Sequence, residues 1–257
     1  MGDYLDHSVY AQDENGDAHE IFLADEEPLT ICVNDKPYIT LLTLGAFPEA
    51  LAIGYLRNQR LLRGIEEIIS IETGRNMVSV RVRVPLPVTV AVSGCGIGSA
   101  FAVSQNEIMP FSLSEDISLS PVTLTTILER VDHLETVYKK TGAVHGCALT
   151  TNAEAQSEII YFVEDVGRHN AVDTVAGLMW KNGISGTDKI FYTTGRLSSE
   201  IVLKIAHMGI PFLVSRSMLT QRGFDIAERL DMTIIGRARR DGYWVFGKQN
   251  RFRRDQI

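Results

Sequence analysis

The sequence predicts an α/β chain with a β-rich first part, on three observations. After residue 120, short apolar runs alternate with helical patterns of about ten residues, the rhythm of a sheet covered by helices. Before residue 100, the apolar residues fall into strand-like alternation, with a single helix among them. Polar and glycine residues are concentrated where the later strands give way to helices. In open α/β sheets those carboxyl ends of strands are where ligands bind.

Residues 1 to 19 are rich in Asp, Glu and Gly, bury little, and read as a mobile tail. A β-rich region over 20–110 follows. Ile21 to Ala24, Leu29 to Val33 and Tyr38 to Leu42 read as short strands, with Asn34-Asp35 as a turn signal. Pro48 opens a helix that buries Leu51, Tyr55 and Leu56. Val78, Val80, Val82 and Val84 alternate with Ser79, Arg81 and Arg83 as a half-buried strand, and Val88 to Val92 reads as another.

The second unit spans 111–257. Ser120-Pro121 starts a helix carrying Leu124, Ile127, Leu128, Val131, Leu134 and Tyr138, which Gly142 stops. A strand near His145 to Thr150 precedes a strand over Ile159 to Val163 and a helix running to Lys181. The pairs Lys189–Thr194 with Ser198–Met208 and Ile210–Ser215 with Gln221–Leu230 repeat the strand–helix order. Met232–Ile235 and Tyr243–Phe246 close the unit.

The chain has 257 residues, 45% hydrophobic and 22% charged, enough for a sizeable core. Its net charge of −7 argues against a broad nucleic-acid surface but leaves room for a local basic pocket. Cys32, Cys95 and Cys147 are odd in number and widely spaced, which fits neither a disulfide framework nor a tetrahedral zinc set and suits a reducing cytosol. No apolar run approaches the roughly 20 residues of a membrane span, and the acidic N-terminus is unlike a signal peptide.

Three polar strand-to-helix turns carry the candidate binding chemistry. Glu164-Asp165-Val166-Gly167-Arg168-His169-Asn170-Ala171-Val172-Asp173 is the first. Thr193-Thr194-Gly195-Arg196-Leu197-Ser198-Ser199 is the second, with Ser198 placed to cap a helix. Ser215-Arg216-Ser217-Met218-Leu219-Thr220 is the third. A helix N-terminus favours anions, and a guanidinium fork grips phosphate. Capped helices explain one such turn; Arg168, Arg196 and Arg216 in series favour a phosphate-bearing ligand. Arg237-Ala238-Arg239-Arg240, ending in Asp241-Gly242, reads either as a further basic cluster or as a solvated hairpin turn.

Ser93-Gly94-Cys95-Gly96-Ile97-Gly98-Ser99 leaves the Cys95 thiol little steric cover and many N–H groups to stabilise a thiolate. On these residues alone a plain glycine turn, whose small buried residue happens to be Cys, is slightly the better reading. The run fails as a dinucleotide fingerprint, and neither a phosphate loop nor a nucleophile elbow occurs. His145-Gly146-Cys147 lacks the Glu and the Cys-x-x-Cys pair of a zinc deaminase, so a nucleotide-directed zinc hydrolase is a remote reading and no tightly bound zinc is expected.

From about Glu26 onward these residues resemble the formate dehydrogenase accessory sulfurtransferases, the FdhD family. The likeness rests on Glu27-Pro28-Leu29 with Val33-Asn34-Asp35, the Cys95 loop, Thr141-Gly142-Ala143-Val144-His145, and above all the block from Glu164 to Asp173. Thr194-Gly195-Arg196, Gly209-Ile210-Pro211 and Ser215 to Thr220 add to it. The resemblance implies a cytidine-deaminase-like three-layer α/β/α domain without zinc chemistry, a homodimer, and a cytoplasmic sulfur carrier. A cysteine desulfurase would load Cys95 with a persulfide. The sulfur would pass to a molybdenum (or tungsten) bis(molybdopterin guanine dinucleotide), bound as substrate, before insertion into the formate dehydrogenase catalytic subunit. The family's cofactor-binding segment falls on Arg237, Ala238, Arg239, Arg240, Asp241 and Gly242. The phosphates suit Asp165, Arg168, His169, Gly195, Arg196, Ser215 and Ser217. His145 or His169 would serve as the base. No nucleic acid, membrane or metal ligand is expected. The chain departs from the family in carrying Gly98 where a second loop cysteine is usual. Cys147, at a position usually alanine, is a candidate substitute, and a non-catalytic cofactor chaperone is the alternative function.

Overall fold

A computed structural model describes residues 7–86, 91–93, 113 and 116–253, the 91–93 segment by its backbone only. Among these residues the chain forms a mixed α/β architecture of two large sheets and one small hairpin. The hairpin joins β1 (His7–Gln12) to β2 (Ala18–Leu23) in antiparallel register, where a tail was expected up to residue 19. The charges that suggested solvation are partly used inside it. Asp13 Oδ1 accepts from the N–H groups of Asn15 (2.9 Å) and Asp17 (3.0 Å) to close the turn, and Ser8 donates to Glu20 across the strands (2.7 Å). Both strands are exposed along their whole length.

The first large sheet contains β3 (Glu27–Val33), β4 (Lys36–Thr43), β5 (Ile68–Gly74), β6 (Met77–Val82) and β7 (Ala91–Ser93), in the order β5-β6-β3-β4-β7. Asn34 and Asp35 both take positive φ (48° and 65°), the pattern of the two-residue turn that matches strand twist. Strand β5 was not expected from sequence. Its residues are exposed or only partly covered, so they lack a sustained apolar alternation. Ile31, Ile39, Leu41, Val78 and Val80 pack against Leu51, Ala52 and Leu56 of helix α1 (Pro48–Asn58).

The second sheet contains β8 (His145–Thr151), β9 (Ile159–Asp165), β10 (Lys189–Thr193), β11 (Phe212–Ser215), β12 (Thr233–Arg239) and β13 (Gly242–Gly247), in the order β13-β12-β11-β10-β8-β9. β10, β11 and β12 run parallel, and β8 pairs antiparallel with both β10 and β9. One face carries α4 (Arg168–Lys181), α5 (Ser199–His207) and α6 (Gln221–Arg229), whose Val172, Val175, Val202, Ile205 and Ile226 cover Leu149, Phe191, Leu213 and Ile234. The other face carries α2 (Pro121–His133), whose Leu124, Ile127 and Leu128 cover Ala148, Ile190, Phe212 and Val214. This helix–sheet–helix layering is compatible with the deaminase-like arrangement.

The single helix expected from Pro121 to Tyr138 is two. Leu134 turns extended (ψ 138°), and α3 (Val137–Thr141) begins afresh. The Thr136 side chain accepts from Lys139 N, and the Glu164 carboxylate accepts from the N–H groups of Val137 (2.7 Å) and Tyr138 (2.9 Å). A carboxylate from β9 thus starts the second helix.

The two large units meet through α1 and α4. Both are buried on most sides, as expected of helices between two sheets. They approach on glycine: a Cβ on Gly54 would lie 1.6 Å from the Asp173 carbonyl oxygen, and one on Gly177 would lie 1.8 Å from that of Ala50. This contact fixes α4, and with it the first polar turn, against the N-terminal unit.

Candidate functional site

Because β9, β10, β11 and β12 point the same way, their carboxyl ends share one edge of the sheet, where β8 also begins. All three polar turns and the Arg237–Gly242 hairpin therefore lie along one edge.

The first turn is set by Asp165. It is 4% exposed, and its carboxylate accepts hydrogen bonds from Thr43 Oγ1, Leu44 N (3.3 Å), Gly167 N (2.8 Å) and Asn170 Nδ2 (3.1 Å). Asn170 also donates to the Leu42 carbonyl (2.7 Å). Asp165 was expected to face the ligand. Instead its oxygens are taken up in tying the turn to the N-terminal sheet, while burial pushes its pKa up against those hydrogen bonds.

The second and third turns are bound to each other. Ser215 Oγ donates to the Gly195 carbonyl (2.7 Å) and accepts from Ser217 N (3.0 Å). Leu197 and Thr220 carry a further bond between the turns, Thr220 N to Leu197 O (3.0 Å), and Arg237 N reaches the Ser217 carbonyl (2.9 Å). Ser215 is fully buried and acts as a brace rather than as a surface group. Gly195 makes room for a neighbour, since a Cβ there would sit 3.1 Å from Arg168 Cβ. Ser198 stands at the N-cap of α5 but makes no cap bond, and its Oγ is buried without a partner; Thr220 does cap α6.

Arg168 and His169 occupy the first turn of α4, half-buried, and the Arg168 Nε and His169 Nε2 atoms are buried without hydrogen-bond partners. Burial pushes the His169 pKa down to about 4, and the positive charges of Lys204 and Arg168 add to the fall while Glu200 opposes it. Burial, with Arg168 and Arg196 nearby, also lowers His145. Both imidazoles are therefore uncharged at pH 7 and can accept a proton. Arg196, Arg237, Arg239, Arg240, Asp241 and Gly242 are exposed and Ser217 is half-buried, whereas Ala238 points into the core under α2. Asp132 of α2 lies between Arg216 (3.6 Å) and Arg240 (3.4 Å).

Cys95 lies outside the described residues. Cys147 is 0% exposed, donates to Thr193 Oγ1 (3.3 Å), and has its thiol pushed up to about 12 by burial. It cannot substitute as a sulfur acceptor without local opening, because the thiolate is the nucleophile. Sequence reasoning missed Thr43, whose partner is 122 residues away, and the buried Lys204. A visible signal existed for the latter: a lysine within the apolar run from Ile201 to Ala206.

A family model described as FdhD/NarQ matches residues 24–253. The sulfur carrier protein FdhD of Listeria monocytogenes serotype 4b is 32% identical over 261 aligned residues, covering 95% of this chain and 97% of that one. The protein of the same name from Bacillus subtilis is 29% identical, covering 90% of each. A crystal structure from Desulfotalea psychrophila, provisionally described as a formate dehydrogenase accessory protein, matches with a TM-score of 0.78 at 28% identity, over 96% of this chain and 98% of that one.

Proposed function

The chain belongs to the FdhD/NarQ family, and from that premise we propose that it is a sulfur carrier that activates formate dehydrogenase. It takes sulfur from the persulfide of a cysteine desulfurase and passes it to a molybdenum or tungsten bis(molybdopterin guanine dinucleotide) held as substrate. The observation that supports this reading best is the single sheet edge bearing Arg168, Arg196, Arg237, Arg239 and Arg240 in a chain of net charge −7. Such an edge suits a ligand with several phosphates. A cytoplasmic homodimer that docks the formate dehydrogenase catalytic subunit completes the proposal.

In the loading step the Cys95 thiolate attacks the terminal sulfur of the donor persulfide. A new S–S bond forms as the donor's bond breaks, and the donor cysteine leaves as thiolate. An uncharged imidazole, His145 or His169, takes the thiol proton beforehand. In delivery the outer sulfur becomes a sulfido ligand with two electrons drawn from the reduced metal of the substrate, and Cys95 leaves as thiolate.

The test is peptide mass spectrometry after incubation with a cysteine desulfurase and cysteine. Added sulfur on Cys95, lost in Cys95→Ala together with formate dehydrogenase activation, is the expected result. No added sulfur on any cysteine, from a desulfurase competent on a two-cysteine relative, would overturn it. Gly98 in place of a second thiol favours the remaining reading, a cofactor chaperone without chemistry. That reading predicts full activation by Cys95→Ala.

A further inference from the structure

Beneath the substrate edge runs a chain of buried polar groups that the sulfur chemistry touches only at its end, His169. Lys204 of α5 and Asp173 of α4 are each 1% exposed, and their side chains meet at 2.6 Å. On one side, Asn58 of α1 donates to Asp173 Oδ1 (2.7 Å). On the other, Lys204 Nζ lies 3.7 Å from Glu200 Oε1, and Glu200 Oε2 lies 3.7 Å from His169 Nε2. Removing both charges from water is costly, and a well-packed apolar pair of the same volume is often as stable. Stability alone therefore gives no reason for a lysine in that apolar helix. The chain does have an end with chemistry: His169 in the first turn of α4.

We propose that Lys204 and Asp173 are positioning residues, which through Glu200 fix the place and the protonation state of His169 at the substrate edge. The proposal rests on the reading of that edge as the substrate site. His169 is faced by Lys204 and Glu200 from α5, by Arg168 on its own helix and by His145 from β8. Two cations against one carboxylate, with burial, hold the imidazole near a pKa of about 4. Its buried Nε2 looks inward onto Glu200 Oε2 at 3.7 Å, so the carboxylate that Lys204 holds sets the place of the ring.

Histidine-selective NMR titration of the full chain tests this, with His169→Gln assigning the resonance. The wild-type midpoint is expected near 4. Lys204→Met removes a cation and should raise it by about one pH unit; Glu200→Gln removes the carboxylate and should lower it. Shifts of opposite sign are not what a merely structural role would give. If Lys204→Met fails to fold, Asp173→Asn with Lys204→Met removes both charges and must still raise the midpoint. A wild-type midpoint near the ordinary 6.5, or one unmoved by these variants, overturns the proposal. A chain with both shifts that never takes up sulfur counts against the carrier reading alone. One that loads Cys95 normally with His169 unmoved counts against the network alone.

Discussion

Asp165 and Arg168 stand three residues apart at the same turn and do opposite work. Asp165 gathers donors from Thr43, Leu44, Gly167 and Asn170. Asp165→Ala should leave these donors buried and unpaired, costing about 3 kcal/mol in urea unfolding. Arg168 carries an unpartnered Nε, so its loss removes an unsatisfied atom rather than a bond. Arg168→Ala should leave the urea midpoint nearly unchanged and weaken binding of guanosine diphosphate about tenfold by calorimetry, the scale of one charge-assisted contact. Equal losses of stability in the two variants would contradict this division. Cys147 gives a third contrast: buried and bonded to Thr193, it should be dispensable for sulfur loading. Cys147→Ala should load sulfur on Cys95 as the wild type does, and loss of loading would restore it as a relay thiol.

At the scale of elements, the α1–α4 crossing joins the two large units. Gly54→Ala or Gly177→Ala would drive a methyl group into the facing helix backbone, which cannot give as a flexible side chain would. Each should cost about 3 kcal/mol or more in chemical denaturation, the upper range for overpacking; a neutral Gly54→Ala would mean that the helices slide apart freely. The strands and helices were legible where apolar period and turn chemistry agree: Asn34-Asp35 in the first unit, and Ser120-Pro121 and Thr220 in the second, each do locally what their type suggests. What was not legible depended on distant partners. The break between α2 and α3 needs Glu164 from another strand, and the inward role of Asp165 needs Thr43. Ser215 was read as a phosphate-binding hydroxyl because its acceptor, the Gly195 carbonyl, lies 20 residues back. The β1–β2 hairpin hid behind a composition that serves equally for solvated tails and for charged turns.

For the whole molecule, burying histidines among cations makes stability depend on pH in a definite direction. His207 accepts a hydrogen bond from Arg60 Nε, and burial with nearby Arg60 pushes its pKa down to about 3; His169 is held near 4. In the unfolded chain both return to about 6.5. Between those values the unfolded state binds more protons, so stability rises with pH and is lost on acidification below about 6.5. At pH 5 the His207 contribution amounts to about 1–2 kcal/mol relative to pH 7. Asp165 and Asp173 work against this trend. Burial raises both above the ordinary carboxylate value, so the folded state takes up their protons first as pH falls, which flattens the acid end of the curve. The comparison that separates these contributions is urea unfolding of the wild type and His207→Gln at pH 7 and pH 5. Glutamine keeps an acceptor for Arg60 but does not titrate, so the variant should lose about 1–2 kcal/mol less over that interval. Parallel losses would show that His207 titrates alike folded and unfolded, and that the cations around it are screened.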